Sequence, residues 1–309
     1  MTTLIFGHQN PDTDAITAAM SWAEFQRQLG NTDVEAVALG KPNAETQYVL
    51  DYFKVDAPRV VESIPEGGHV MLVDHNEFQQ SVVGIEKLTI DAVVDHHRIA
   101  NFTTAAPLYY RAEAIGSTNS VICNIFKEHN FEISAQLAGL MAAGLISDTL
   151  LLKSPTATPR DKEILPELAK IAGINLEEFG LAMLKAGTNL GARSDKDIID
   201  GDAKSFDMAG QSVRIGQVNT VDLDEIYARQ ADLTAAMQEE ATAEGYDLFL
   251  LIATDILNSN SVGFMVGSGK DQIEAAFGQT FDGNNRIDLP GVVSRKKQVV
   301  PQLTAAFEG

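Results

Sequence analysis

Cysteine is almost absent from this chain of 309 residues: Cys123 stands alone, so no intrachain disulfide can form. It falls within the apolar pattern of a predicted helix, where a free thiol acts as a small buried hydrophobe. Long hydrophobic runs are missing as well. The longest, Leu137–Ile146 and Leu248–Ala253, are too short to cross a bilayer. The chain passes from Met1-Thr2-Thr3 straight into a strand-like run, without the basic segment and cleavage site of a secretory signal. Bases are scarce: 23 Lys and Arg stand against 43 Asp and Glu, a net charge of −20. Such a surface repels polyphosphate backbones and argues against nucleic acid as a partner. Together these absences predict a cytoplasmic protein with no membrane contact. An anionic substrate would need the few cations gathered at one place.

What is present is an ordinary globular composition, 45% apolar and 21% charged, in a chain long enough for two domains. Strand-like runs recur at Leu4–Phe6, Val34–Leu39, Arg59–Val61, Val70–Val73 and Asp91–Val94. Helical patterns fit Ala15–Leu29, Asn43–Phe53, Ser117–Glu128, Ser134–Leu145, Arg160–Ala172 and Leu176–Lys185. Strands alternating with helices predict an α/β fold, a doubly wound and mostly parallel sheet covered on both faces. Around Gly187 and Gly191 the residues turn small and polar, which marks a linker. The expected division is a first domain over 1–187, a linker over 188–195 and a smaller C-terminal α/β domain over 196–309. In that second domain, strands at Ala203–Met208 and Gln211–Val218 precede a helix around Asp222–Ala243. Further strands follow at Tyr246–Ala253 and Ser261–Val266.

The most informative residues are Asp95-His96-His97, directly after the apolar Ala92-Val93-Val94. Alone the tripeptide is weak, but three other segments share its grammar. Leu4–Gly7 leads into His8, Asp12 and Asp14, Val70–Val73 into Asp74, and Gly144–Ser147 into Asp148. In a parallel α/β sheet, ligands bind beyond the carboxyl ends of the strands, so these distant residues can converge. Asp12 and Asp14 would also serve as helix caps, a reading that loses ground once the other segments are counted. Four aspartates packed together would repel, and some would have to stay protonated. Two divalent cations neutralise all four. Imidazoles from His8 and His96 point to a transition metal, because magnesium and calcium prefer all-oxygen shells. Two such ions about 3.5–4 Å apart can bridge a water, lower its pKa and clamp both oxygens of an in-line displacement at phosphorus. His97 either points to substrate or orients the site, and Asp95 orients a histidine rather than binding metal. His75, His69 and His129 read as surface or packing residues.

Ser294-Arg295-Lys296-Lys297-Gln298 is the densest basic run. Alone it would be a solvated face. Pro301 reads as a first-turn helix residue, which leaves Arg295 and Lys296 on a loop or strand just before it. There they could clamp phosphate through a planar fork and a point charge. Gly267-Ser268-Gly269-Lys270 lacks the phosphate-loop spacing and reads as a turn.

The order His-x3-Asp-x-Asp, Asp, Asp-His-His and then Ser-Asp-Thr resembles the DHH phosphoesterase superfamily. With Ser294–Gln298 added, the chain is similar to that superfamily's manganese-dependent (family II) inorganic pyrophosphatases. The likeness covers essentially the whole chain. It implies hydrolysis of inorganic pyrophosphate to two phosphates by a metal-bridged hydroxide. His8 and Asp12 would hold one manganese, Asp14, His96 and Asp148 the other, with Asp74 bridging them. Arg295, Lys296, Lys204 and His97 would bind substrate, further magnesium would enter with pyrophosphate, and the protein would be a homodimer. The implied ligands all precede residue 149 and the cations lie beyond the linker, so the active site would lie between the domains and be completed as they close. A second reading is a DHH phosphodiesterase for short oligonucleotides or cyclic dinucleotides. Those relatives carry a Gly-Gly-Gly-His element, which this chain lacks. A manganese-binding regulatory or storage module would leave Arg295 and Lys296 unexplained. No segment is inserted between Asp74 and the linker, which argues against a nucleotide-regulated subtype.

Overall fold

A computed structural model describes residues 2–309 of the chain. Two compact units are present, one ending at Gly187 and the other running from Thr188 to Gly309.

In the first unit, β1 (Thr3–Phe6), α1 (Thr13–Gln28), β2 (Val34–Ala38), α2 (Ala44–Phe53) and β3 (Arg59–Val60) build the sheet outward in one direction. The chain then returns to the other side of β1 and continues through β4 (His69–Val73), β5 (Thr89–Asp95) and β6 (Tyr109–Ala112). All six strands are parallel, in the order β3-β2-β1-β4-β5-β6. The winding reverses between β1 and β4, and such a switch point opens a crevice beyond the carboxyl ends of the strands. One face buries Phe6, Val70, Leu72 and Val93 under Val82 and Ile85. Of the remaining helices, α3 (Thr118–His129) and α4 (Ala135–Thr149) pack on α1, and α5 (Pro159–Ala172) packs on α4. The apolar run Leu137–Ile146 is thus the buried body of α4. α6 (Leu176–Thr188) leads to the boundary.

The second unit opens with a 3-10 turn at Leu190–Ala192 and α7 (Asp195–Asp200). It continues through β7 (Ala203–Met208), β8 (Gln211–Thr220), α8 (Leu223–Ala228), α9 (Gln230–Glu244), β9 (Leu248–Asp255), β10 (Asn260–Gly267), α10 (Lys270–Phe277), β11 (Arg286–Pro290) and α11 (Val300–Glu308). The sheet order is β11-β10-β9-β8-β7; β8 and β9 run parallel and the other pairs antiparallel. Strand β9 is buried throughout. Its period-2 alternation sends Phe249, Leu251 and Ala253 into a core shared with α7, α8 and α9. Leu248, Leu250 and Ile252 go into a core shared with α10 and α11.

Two expectations change. The single helix read over Asp222–Ala243 is broken at Arg229. The Arg229 guanidinium donates to the carbonyls of Leu190 and Arg193 and to the carboxylate of Asp195, a tertiary contact that local periodicity cannot reveal. Arg295 and Lys296 lie on neither a loop nor a strand: Arg295–Val299 form a π-helical turn running directly into α11. Ser294 caps it by accepting the Lys297 N–H, and Pro301 sits in the first turn of α11. No helix among the described residues is long and apolar enough to cross a membrane.

Candidate metal centre

Each of the three central strands delivers a residue to the switch point. Past β1, His8 turns its Nδ1 to the Gln9 carbonyl at 2.9 Å. Its Nε2 lies 3.5 Å from Asp12 Oδ2 and 3.5 Å from Asp74 Oδ2. Asp12 is indeed the N-cap of α1, accepting the Ala15 N–H on Oδ1, so one carboxylate both caps the helix and faces the site. Past β4, Asp74 is buried and holds a left-handed backbone, φ 58°, an uncommon conformation for a residue other than glycine. The Thr118 hydroxyl donates to its Oδ1 at 2.9 Å. At the end of β5, buried Asp95 accepts the N–H groups of His96 and His97 and pairs with His97 Nδ1 at 3.0 Å. Asn76 donates to its other oxygen. Asp95 thus orients a histidine.

Two helices complete the set. Asp148 ends α4, and Asp14 lies buried in the first turn of α1. His96 Nδ1 pairs with the Ile115 carbonyl at 3.0 Å, which makes it the donor and turns Nε2 toward the carboxylates. That nitrogen stands 3.3 Å from Asp148 Oδ2 and 3.4 Å from Asp74 Oδ1, and it is buried without a hydrogen-bond partner. One ligand atom from each of His8, Asp12 and Asp74 lies within 4.8 Å of the others, and so do those of Asp14, Asp74, His96 and Asp148. His97 joins a third such group with Asp74 and His96. Asp74 is common to all three.

The electrostatics of these residues fit a cation. Burial, reinforced by the charge of Asp14, pushes the carboxyls of Asp74 and Asp148 well above the usual range. Burial also works against charge on His96, but Asp148, Asp74 and Asp14 outweigh it and lift the imidazole to about 12. For His8, burial is likewise outweighed, by Asp12, the Gln9 carbonyl and Asp74, giving about 9. Lone pairs converging on one point require positive charge between them, whether protons or metal ions. Mixed imidazole and carboxylate donors are a transition-metal set. Right after Asp148, Leu150, Leu151 and Leu152 all take left-handed conformations. Each costs about 1–2 kcal/mol, strain placed directly beside the site.

Sequence reasoning missed the residues that hold the carboxylates. Asp14 accepts from the Ser117 hydroxyl, the Thr118 N–H and the Asn119 side-chain amide, each at 2.7 Å. The start of α3 is therefore a cradle for this acid, and Ser117 in its sequence signals only a helix cap. Gly144 in α4 makes room, since a Cβ there would lie 2.5 Å from Asp14 Oδ1. His75, adjacent to Asp74, is a buried packing residue; burial keeps it neutral, with its pKa lowered to about 4. His69 pairs with Asp91, and His129 packs edge-on against Phe25 at 5.1 Å.

In the second unit, Arg295 is buried. It donates through Nη1 to the Asp202 and Ile215 carbonyls and through Nη2 to Asp202 Oδ1 at 2.8 Å. A guanidinium has five N–H donors, so among the described residues its Nε–H and one Nη2–H are left as a side-on fork. Lys204 on β7 pairs in register with Ile215, which brings it to the same corner of the sheet, and both Lys204 and Lys296 are exposed.

Residues 2–145 match the DHH family, N-terminal domain, and residues 181–306 match the DHHA2 domain. Over 305 residues the chain is 59% identical to a Lactiplantibacillus plantarum protein named "Probable manganese-dependent inorganic pyrophosphatase". It is 60% identical to one of the same name from Enterococcus faecalis, and each alignment covers 98% of both chains. The crystal structure of a Methanococcus jannaschii protein described as "putative family II inorganic pyrophosphatase" is 40% identical, covers 100% of both chains and gives a TM-score of 0.62.

Metal ligands must be deprotonated, whereas the raised His8 and His96 carry protons at neutral pH in the metal-free protein. Adding Mn2+ in weak buffer should therefore release protons. Affinity should rise with pH between 6 and 8, by about tenfold per unit for each proton displaced. Binding that is independent of pH and releases no protons would remove these histidines from the ligand set.

Proposed function

The chain belongs to the manganese-dependent, family II inorganic pyrophosphatases, and on that premise we propose that it hydrolyses inorganic pyrophosphate to two phosphates at a site for two manganese ions. One observation carries the reading: Asp74 is shared by the cluster of His8 and Asp12 and the cluster of Asp14, His96 and Asp148, at the switch point of the sheet. His8 and Asp12 would hold one ion, and Asp14, His96 and Asp148 the other, with Asp74 between them. When bound, the metal would supply positive charge to the phosphate oxygens and lower the pKa of a coordinated water. Magnesium accompanying the substrate, and a homodimeric assembly, belong to the same proposal.

The remaining work falls to protein groups. His97, oriented by Asp95, would donate to a substrate oxygen. Arg295 would meet phosphate with the fork that Asp202 leaves unused, and Lys204 and Lys296 would add point charges against the leaving phosphate. These cations lie beyond residue 188 and the metal ligands before 149, so the complete site requires the second unit to close on the first. Leu190 is anchored in a second-unit core, and Arg229 fastens the Leu190 and Arg193 carbonyls. A hinge would therefore be confined to the few residues before Leu190, with Asn189 already in a left-handed conformation.

Asp74→Asn should lower pyrophosphate hydrolysis by orders of magnitude in a protein that still folds; near-normal turnover would remove the shared-carboxylate assignment. Arg295→Ala and Lys296→Ala should each depress kcat/KM by about 100-fold or more, whereas Lys297→Ala should change it little. Equal, mild effects at the three positions would return the basic run to a solvated face. In small-angle scattering, imidodiphosphate added to the manganese-loaded protein should compact the molecule. Tight binding of that analogue with no change in radius of gyration would eliminate closure.

A further inference from the structure

Glu45, in the first turn of α2, belongs to none of the ligand clusters, yet its carboxylate touches the segments that carry three of the candidate ligands. Its Oε1 accepts the Thr13 hydroxyl at 2.6 Å and the Ser147 hydroxyl at 2.6 Å. Thr13 lies between Asp12 and Asp14 at the start of α1, and Ser147 immediately precedes Asp148 at the end of α4. Thr46 adds a contact to Thr13 at 3.1 Å, and the Asn43 side chain caps α2 so that Glu45 stands on a fixed turn. The other oxygen, Oε2, faces Gly187 in the last turn of α6. A Cβ on Gly187 would lie 2.9 Å from it, so the helix end approaches Glu45 this closely only because residue 187 has no side chain.

We infer that Glu45 is a positioning residue that fixes the spacing of Asp12 and Asp14 from Asp148 through Thr13 and Ser147, and ties that spacing to the α6 turn at the unit boundary. The inference rests on the reading of these aspartates as metal ligands. Hydrogen-bonded groups behind metal ligands hold donor atoms at their working separation, and losing one costs about 10–100-fold in metal affinity. What Glu45 supplies is a shared acceptor for two hydroxyls, so an amide oxygen at the same place should serve nearly as well.

The test is Mn2+ binding to the metal-free full-length protein, followed by the electron paramagnetic resonance of free Mn2+. Glu45→Ala should weaken binding by about 10–100-fold, and Glu45→Gln should stay within about threefold of the unmodified protein. Gly187→Ala, a helix-compatible change, should weaken binding when Glu45 is present and have no further effect in the Glu45→Ala background. Circular dichroism of the metal-free variants should match that of the parent. Unchanged affinity in Glu45→Ala overturns the inference. Equal losses in Glu45→Ala and Glu45→Gln also overturn it, because they assign the effect to charge. Additive losses from Glu45→Ala and Gly187→Ala remove the link to the boundary. Failure of the unmodified protein to bind Mn2+ would instead sink the metal-site reading on which the inference stands.

Discussion

Repulsion among carboxylates that are too buried to be solvated one by one shapes the polar architecture of the first unit. Two like charges 4 Å apart interact by about 4 kcal/mol at an effective dielectric near 20, a large share of a domain's net stability of about 5–15 kcal/mol. The chain meets this with donors drawn from every direction. The α3 start supplies a hydroxyl, an N–H and an amide to Asp14, and Thr118 also supports Asp74. His8 and His96 stand against the acids, and Gly144 yields the volume that the packing needs. Each such hydrogen bond to a charged carboxylate contributes about 1.5–3 kcal/mol.

The second unit treats its cations the same way in reverse. Arg295 would be an expensive buried charge if left alone, and Asp202 together with two backbone carbonyls satisfies part of its fork. The paired edge fixes the plane of the guanidinium and thereby the direction of the unpaired edge. Arg229 does comparable work at the boundary, where its guanidinium donates to the Leu190 and Arg193 carbonyls.

How much of this could be read in the sequence depended on whether a feature is local. Strands β1, β4 and β5 were legible because each is an apolar run broken abruptly by an acid or histidine, and the convergence of His8, Asp74 and His96 follows from parallel topology alone. Strand β6 was not, because Tyr109–Ala112 spans four residues at a sheet edge with neither face fully buried. Helix α10 buries only Ile273, too little to leave a period. The π-helical turn at Arg295 depends on Gln217, which accepts the Arg295 N–H from 78 residues away. Ser117 opens the helix pattern read over Ser117–Glu128, while the attachment of Ser117 and Asn119 to Asp14 is a contact across more than 100 residues. Local pattern carried the strand ends and their candidate ligands; distant pairing carried the support behind them.

The two-sided core around β9 gives the second unit its own buried interior, and every candidate metal ligand belongs to the first. On the proposed reading, the metal ligands and most of the anion-binding cations would fall to separate units joined by a short stretch of backbone. On that reading, substitutions at the cationic corner of Lys204 and Arg295 would alter anion recognition without touching a candidate metal ligand. A chain built this way would change its substrate by altering the part that grips while keeping the part that cuts.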